Sequence, residues 1–118
     1  MAYIDGFIIA VPNENKDKFR AQAQATDSVF LEHGAVRVVE CWGDEVPEGK
    51  VTDFRRAVKA EEDETVVFSW VEWPDKPTRD AAMSQVMSDP RMQPGASPMS
   101  FDAQRMIYGG FEPIVELG

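Results

Sequence analysis

Apolar positions first cluster from Tyr3 to Val11, a run rich in Ile and Phe that predicts a strand. Pro12-Asn13 ends the run, and Asn13 is placed to cap a following helix. From Glu14 onward Phe19, Ala23, Thr26, Phe30 and His33 recur at intervals of three and four, the period of an amphipathic helix. Gly34 stands where a left-handed residue would terminate it. Ala35 to Gly43 is β-branched and predicts a second strand, and Thr65 to Trp73 predicts a third. The connection from Asp44 to Asp63 is long for a compact domain, with Thr52 to Val58 patterned as a short helical turn. Asp75 can cap a second helix that tolerates Pro77 in its first turn and turns Ala82, Met83, Val86 and Met87 to one side. Asp89-Pro90 ends that helix, because a residue before proline avoids helical geometry. Residues 90–104, rich in Pro, Gly, Ser and Met, read as loop. A last strand runs from Arg105 to Val115, with Gly109-Gly110 marking a bulge or a close backbone approach.

The order β-α-β-β-α-β predicts an α+β, ferredoxin-like fold over residues 1–118 as one domain. It is an antiparallel four-stranded sheet with two helices on one face. Side chains alternate along each strand, so every strand offers two sets. The expected helix side takes Ile4, Gly6 and Ile8, then Val39 and Cys41, then Val67, Ser69 and Val71, then Ile107, Gly109 and Phe111. The expected open side takes Asp5, Phe7 and Ile9, then Val36, Val38, Glu40 and Trp42, then Val66, Phe68, Trp70 and Glu72, then Met106, Tyr108 and Glu112. An open face this apolar is larger than monomers usually leave in water, and burying each large side chain is worth roughly 1.5–3 kcal/mol. The economical cover is a second copy, so the sheet face predicts a homodimer with a barrel-like interior.

Composition sharpens this picture. Thirteen Val and five Ile stand against two Leu, a bias toward sheet. Twenty-one acidic and twelve basic residues give a net charge of −9, which disfavours nucleic acid and anionic membrane surfaces as partners. No apolar stretch approaches the ~18 residues of a membrane-spanning helix. The single Cys41 excludes an internal disulfide, and the opening residues Met1 to Asp5 carry no secretory pattern. The expected location is therefore the cytoplasm.

Several stretches carry a family likeness. They are Tyr3 to Phe7, Glu32 to Ala35, Val38 to Asp44, Gly49 to Phe54, Glu64 to Trp70 and Arg105 to Phe111. Together they span nearly the whole chain and resemble a YbaA-like bacterial family of unknown function. The resemblance implies the dimeric α+β barrel fold; it implies no activity.

The candidate chemistry lies on the expected open face. Asp5, Glu40 and Glu72 fall near Phe7, Trp42, Trp70 and Tyr108, which together form a candidate ligand-binding wall. A carboxylate in an apolar cavity has its charged form disfavoured, which suits proton transfer; at a rim the same groups pair with Arg37 or Arg105. His33 is the only histidine and reads as a helix-terminal cation. Cys41 reads as a small buried hydrophobe. Arg55 and Arg56 either meet an anionic ligand or offset Asp53 and the acidic run. Phosphate loops, HExxH, nucleophile elbows and EF-hand spacings are absent, so neither a cofactor nor a metal is expected and no catalytic residue is assigned. Two functions fit. One is a homodimer holding a small, partly aromatic or apolar molecule, with or without catalysis. The other is a structural or interaction dimer with a filled interior.

Overall fold

The computed structural model describes residues 2–93 and 99–118. Positions 94–98 of the loop expected over 90–104 lie outside the described residues. Four strands, β1 (Tyr3–Pro12), β2 (Arg37–Trp42), β3 (Glu64–Trp73) and β4 (Ile107–Phe111), form one antiparallel sheet in the order β2-β3-β1-β4. The helices are α1 (Lys16–Glu32), α2 (Phe54–Ala57) and α3 (Lys76–Val86). This is the ferredoxin-like α+β arrangement that the element order predicts.

Local chemistry sets the element ends. The Asp75 carboxylate accepts the Thr78 backbone N–H at 2.8 Å and starts α3. Gly34 follows α1 with φ of +108°, a conformation that side chains with a Cβ seldom adopt. Asn13 is not the cap of α1. It sits in a 3-10 turn over Asn13–Asn15, and its side-chain oxygen accepts from the Thr65 hydroxyl, joining the end of β1 to the start of β3. The glycine pair in β4 makes no bulge, since pairing with β1 runs unbroken from Ile4↔Phe111 to Ile8↔Ile107. It permits close approach instead. A Cβ on Gly110 would lie 2.2 Å from the Tyr3 hydroxyl oxygen.

The sheet register corrects the expected facing. Asp5 lies opposite Val71, Phe7 opposite both Ser69 and Tyr108, Val38 opposite Val71, Glu40 opposite Ser69, and Trp42 opposite Val67. Val71 and Trp73 pack with Val29 and Phe30 of α1 and Ala82 and Val86 of α3. The set containing Asp5, Phe7, Ile9, Val38, Glu40, Trp42 and Tyr108 is therefore on the helix side, not the open one. Met106 joins it by packing into the core around Phe19 and Val67. Ile4, Gly6, Ile8, Val39, Cys41, Ile107, Gly109 and Phe111 face the open side with Phe68, Trp70 and Glu72. Only β3 keeps its expected orientation. Cys41 accordingly is exposed rather than buried.

The reason is physical. β1 and β3 are paired on both edges and apolar on both faces, so alternation separates two sets without saying which one meets the helices. The decisive contact is distant in sequence. Asp5 is 3% exposed, and Arg79 of α3 reaches it with Nη2 at 2.8 Å from Oδ1 and Nε at 3.1 Å from Oδ2. The indole N–H of Trp73 donates to Oδ2 at 2.8 Å. A second buried acid, Glu64, takes both terminal nitrogens of Arg105 at 2.7 Å, which holds its carboxyl below the usual range and anchors the approach to β4.

The excursion between β2 and β3 folds back on the open side. Asp53 accepts from the Arg56 and Gly49 backbone N–H groups and caps α2. Val58 then buries against Ala10 and Val66, while Phe54 meets Phe68 edge-to-face at 6.0 Å. Arg55 and Arg56 donate to backbone carbonyls of this excursion and its surroundings, and Arg56 Nε lies 3.4 Å from Asp53 Oδ2. One corner of the helix-free face is thereby covered by the chain itself.

Removing Arg79 should leave Asp5 buried and unpaired. We expect Arg79→Ala to cost about 3–5 kcal/mol in urea unfolding, as breaking one side of a buried ion pair does. Arg20→Ala, which breaks an exposed pair with Asp17, should cost under about 1 kcal/mol.

Candidate functional site

One half-buried carboxyl has no cationic partner among the described residues. Asp27 lies on α1 four residues after Ala23 and three before Phe30, on the stripe that faces the sheet. Its carboxyl hydrogen-bonds the Glu40 side chain, which β2 projects from the same side of the sheet. Burial disfavours the Asp27 anion, and the adjacent Glu40 charge disfavours it further. Together they raise its pKa from the ordinary 3.8 to about 9. Asp27 thus holds a proton at neutral pH and donates it to Glu40. Glu40 Oε1 is buried, and no N–H or hydroxyl donor among the described residues reaches it. An acceptor in that condition costs roughly 1–3 kcal/mol, more when charged.

The pair lines two adjoining spaces. An outer groove of about 410 Å³ runs between α1 and β2, walled by Phe19, Leu31, Val38 and Trp42, with Lys16 and Arg20 at its edge. The Lys16 ammonium sits 5.2 Å from the Trp42 ring centroid, a cation–π contact that orients the indole. An inner cavity of about 650 Å³ extends between α1 and the sheet toward the loop after α3. Its walls include Phe7, Ile9, Phe30, Met92, Phe101 and Met106, and Ser69 adds a hydroxyl beside Glu40. Both spaces are mainly apolar with a few converging polar groups, the usual make-up of a small-molecule site.

The seven residues expected to share a wall are divided between environments. Glu40 and Trp42 line the outer groove, and Phe7, Glu40 and Trp70 border the inner cavity. Asp5 is committed to Arg79 and Trp73. Tyr108 stacks on Phe7 at 6.3 Å but stands 73% exposed on the edge strand. Trp70 and Glu72 lie on the open side, where the Trp70 indole N–H donates to Glu72 at 2.8 Å and Arg37 approaches the same carboxylate at 3.9 Å. Glu72 is therefore the rim acid, paired with Arg37. Asp27 was not among the expected residues. Its signal was present nonetheless, as a carboxylate inside the apolar stripe of an otherwise conventional amphipathic helix. His33 takes the end of α1.

The open side presents a shallow apolar groove of about 690 Å³ over Ile4, Gly6, Ile8, Trp70 and Phe111. Phe68, Ile107 and Phe111 are 46%, 44% and 60% exposed there. Among the described residues no group of three or more His, Cys, Asp and Glu side chains is placed to hold a metal, and no helix is long and apolar enough to cross a membrane.

Residues 2–103 match the model of the protein family DUF1428, a protein family of unknown function. The chain belongs to this family. The uncharacterized protein YbaA of Escherichia coli strain K12 and that of Shigella flexneri are each 58% identical over 116 residues, covering 98% of this chain and 99% of theirs. Among solved structures, the crystal structure of a dimeric ferredoxin-like protein from an uncultured marine organism superposes with a TM-score of 0.62 at 10% identity, covering 99% of this chain and all of that one. Rv0793 from Mycobacterium tuberculosis gives 0.50 at 12% identity over the whole of both chains. At such identities the structural likeness shows the fold alone. The DUF1428 chain thus has YbaA as its sequence relative and a ferredoxin-like architecture.

The retained proton has a thermodynamic signature. Between pH 4 and 9 the folded chain binds one more proton at Asp27 than the unfolded chain, so its contribution to stability falls as pH rises through that window. Carboxyls shifted the other way, including Asp53, Glu64 and Asp75, gain stability as pH rises to just past their ordinary values and leave the range above about pH 5 nearly clear. Urea midpoints measured at pH 5, 7 and 9 should decline for the natural chain and decline less for Asp27→Asn. Parallel declines would remove Asp27 as the source.

Proposed function

We propose that this protein is a homodimer, paired through the helix-free sheet face, whose subunits each hold a small and mainly apolar molecule between α1 and the sheet. The buried Glu40 Oε1, which no N–H or hydroxyl donor among the described residues reaches, carries the ligand reading together with the Asp27 carboxyl beside it. It calls for a hydrogen-bond donor, and the surrounding walls call for an apolar body. The pair carries one negative charge and the chain a net charge of −9, so a neutral or cationic donor is favoured over an anion. The dimer reading is supported by the exposed Phe68, Ile107 and Phe111 and by the dimeric state of the marine ferredoxin-like relative in fold. It keeps the sequence-based idea that a second copy covers the open side, while moving the ligand to the opposite side.

Two measurements test these parts separately. Sedimentation at micromolar concentration should give a dimer, and Phe68→Glu combined with Phe111→Glu should give a folded monomer. A natural chain that sediments as a monomer overturns the pairing. Phenol, indole and 2-naphthol, each an apolar ring with one donor, should raise the melting temperature of the natural chain. At a hundred times the dissociation constant the gain is about 2.7 kcal/mol. Glu40→Met should lose most of that gain; no gain with any of the three overturns the ligand reading.

A further inference from the structure

Resting on the ligand reading above, we infer that Asp27 and Glu40 act as an acid–base dyad that tautomerises a neutral, apolar carbonyl compound bound in the helix–sheet cavity. The two groups are joined by a hydrogen bond, both line the same mainly apolar space, and no N–H or hydroxyl donor among the described residues reaches Glu40 Oε1. A pair in which one carboxyl keeps its proton and the other carries the charge divides the acid and base roles before a substrate arrives.

The step balances within the pair. Glu40 takes a proton from the carbon next to the carbonyl, and the C–H electron pair becomes the new C=C bond. The carbonyl π electrons move to oxygen, which receives the Asp27 proton as the C=O bond becomes a C–OH bond. The charge has moved from Glu40 to Asp27 and the pair still carries one negative charge, so no further reactant is required. Exchange of the Glu40 proton with water followed by the reverse transfer exchanges the α-hydrogen, and passage of the Glu40 proton back to Asp27 along their hydrogen bond resets the site after product leaves. Ser69, opposite Glu40 in the β2–β3 ladder and on the same wall, adds a hydroxyl near the reacting atoms.

The environment selects against other two-carboxyl chemistry. Glycoside hydrolysis places its carboxyls about 5 Å or more apart across a sugar. Here they are in direct contact, which leaves no room for a sugar between them. A neutral ketone with an aromatic or aliphatic body fits the lining and the charge.

Phenylacetone is the probe. Its α-protons are followed by NMR in deuterated buffer at neutral pH, with saturation transfer reporting binding. The natural chain should speed their exchange above the buffer rate, and Asp27→Asn and Glu40→Gln should each lower that acceleration by about 100-fold or more while keeping the folded circular-dichroism spectrum. If a variant unfolds, 2-naphthol takes its place as a competitor, and exchange should fall in proportion to its binding. Binding without accelerated exchange overturns the dyad and leaves the ligand reading standing. Acceleration that neither the variants nor 2-naphthol reduce overturns the dyad too, as does hydrolysis of phenyl acetate without ketone exchange. No saturation transfer to phenylacetone or to the three ring compounds overturns both readings together.

Discussion

A carboxyl taken out of water must meet a cation or keep its proton, because an isolated buried anion costs several kcal/mol. This sheet shows both solutions. Asp5 and Glu64 are almost fully buried, and each meets the fork of an arginine brought from far along the chain. Those two pairs tie α3 to β1 and the segment before β4 to β3, so they set where the peripheral elements sit. Asp27 follows the other course. It meets a second carboxyl instead of a cation and holds its proton. The first two acids serve the architecture; the third keeps its proton beside a mainly apolar cavity.

The two sides of the sheet have separate roles. The helix side contains the hydrophobic core around Val29, Phe30, Val71 and Trp73, and beside it the space in which Asp27 and Glu40 stand. A cavity there is shaped within one subunit and can accept a ligand without any contribution from a second copy. The opposite side is apolar but shallow, since Gly6 and Gly109 leave room over which the Phe111 ring lies. Part of it is already closed by α2 and Val58. What is left is an exposed apolar surface, and its aromatic edge contacts among Phe54, Phe68 and Trp70 give it a defined shape.

Much of the fold was legible one residue at a time. The Asp75 cap, the glycine stop after α1, the short α2 with its neighbouring Asp53 and the order of strands all follow from local rules, in which a residue's own backbone preference or its hydrogen bond to a near neighbour decides the outcome. The family likeness agrees with them. The site was legible only in part. Glu40 and Trp42 stand out by residue type and border the cavity spaces, whereas Asp27 is hard to see in the sequence because a helical carboxylate usually belongs to the solvated face.

The amino-acid sequence determined the elements, their order and the alternating sets within each strand, because these depend on φ/ψ preferences and on spacing along one chain. Tertiary structure decided which set meets the helices. That choice depends on contacts between residues dozens of positions apart, such as Arg79 with Asp5, and no periodicity encodes them. When both faces of a strand are apolar, hydrophobicity leaves the phase undetermined, and the placement of one buried charge settles it.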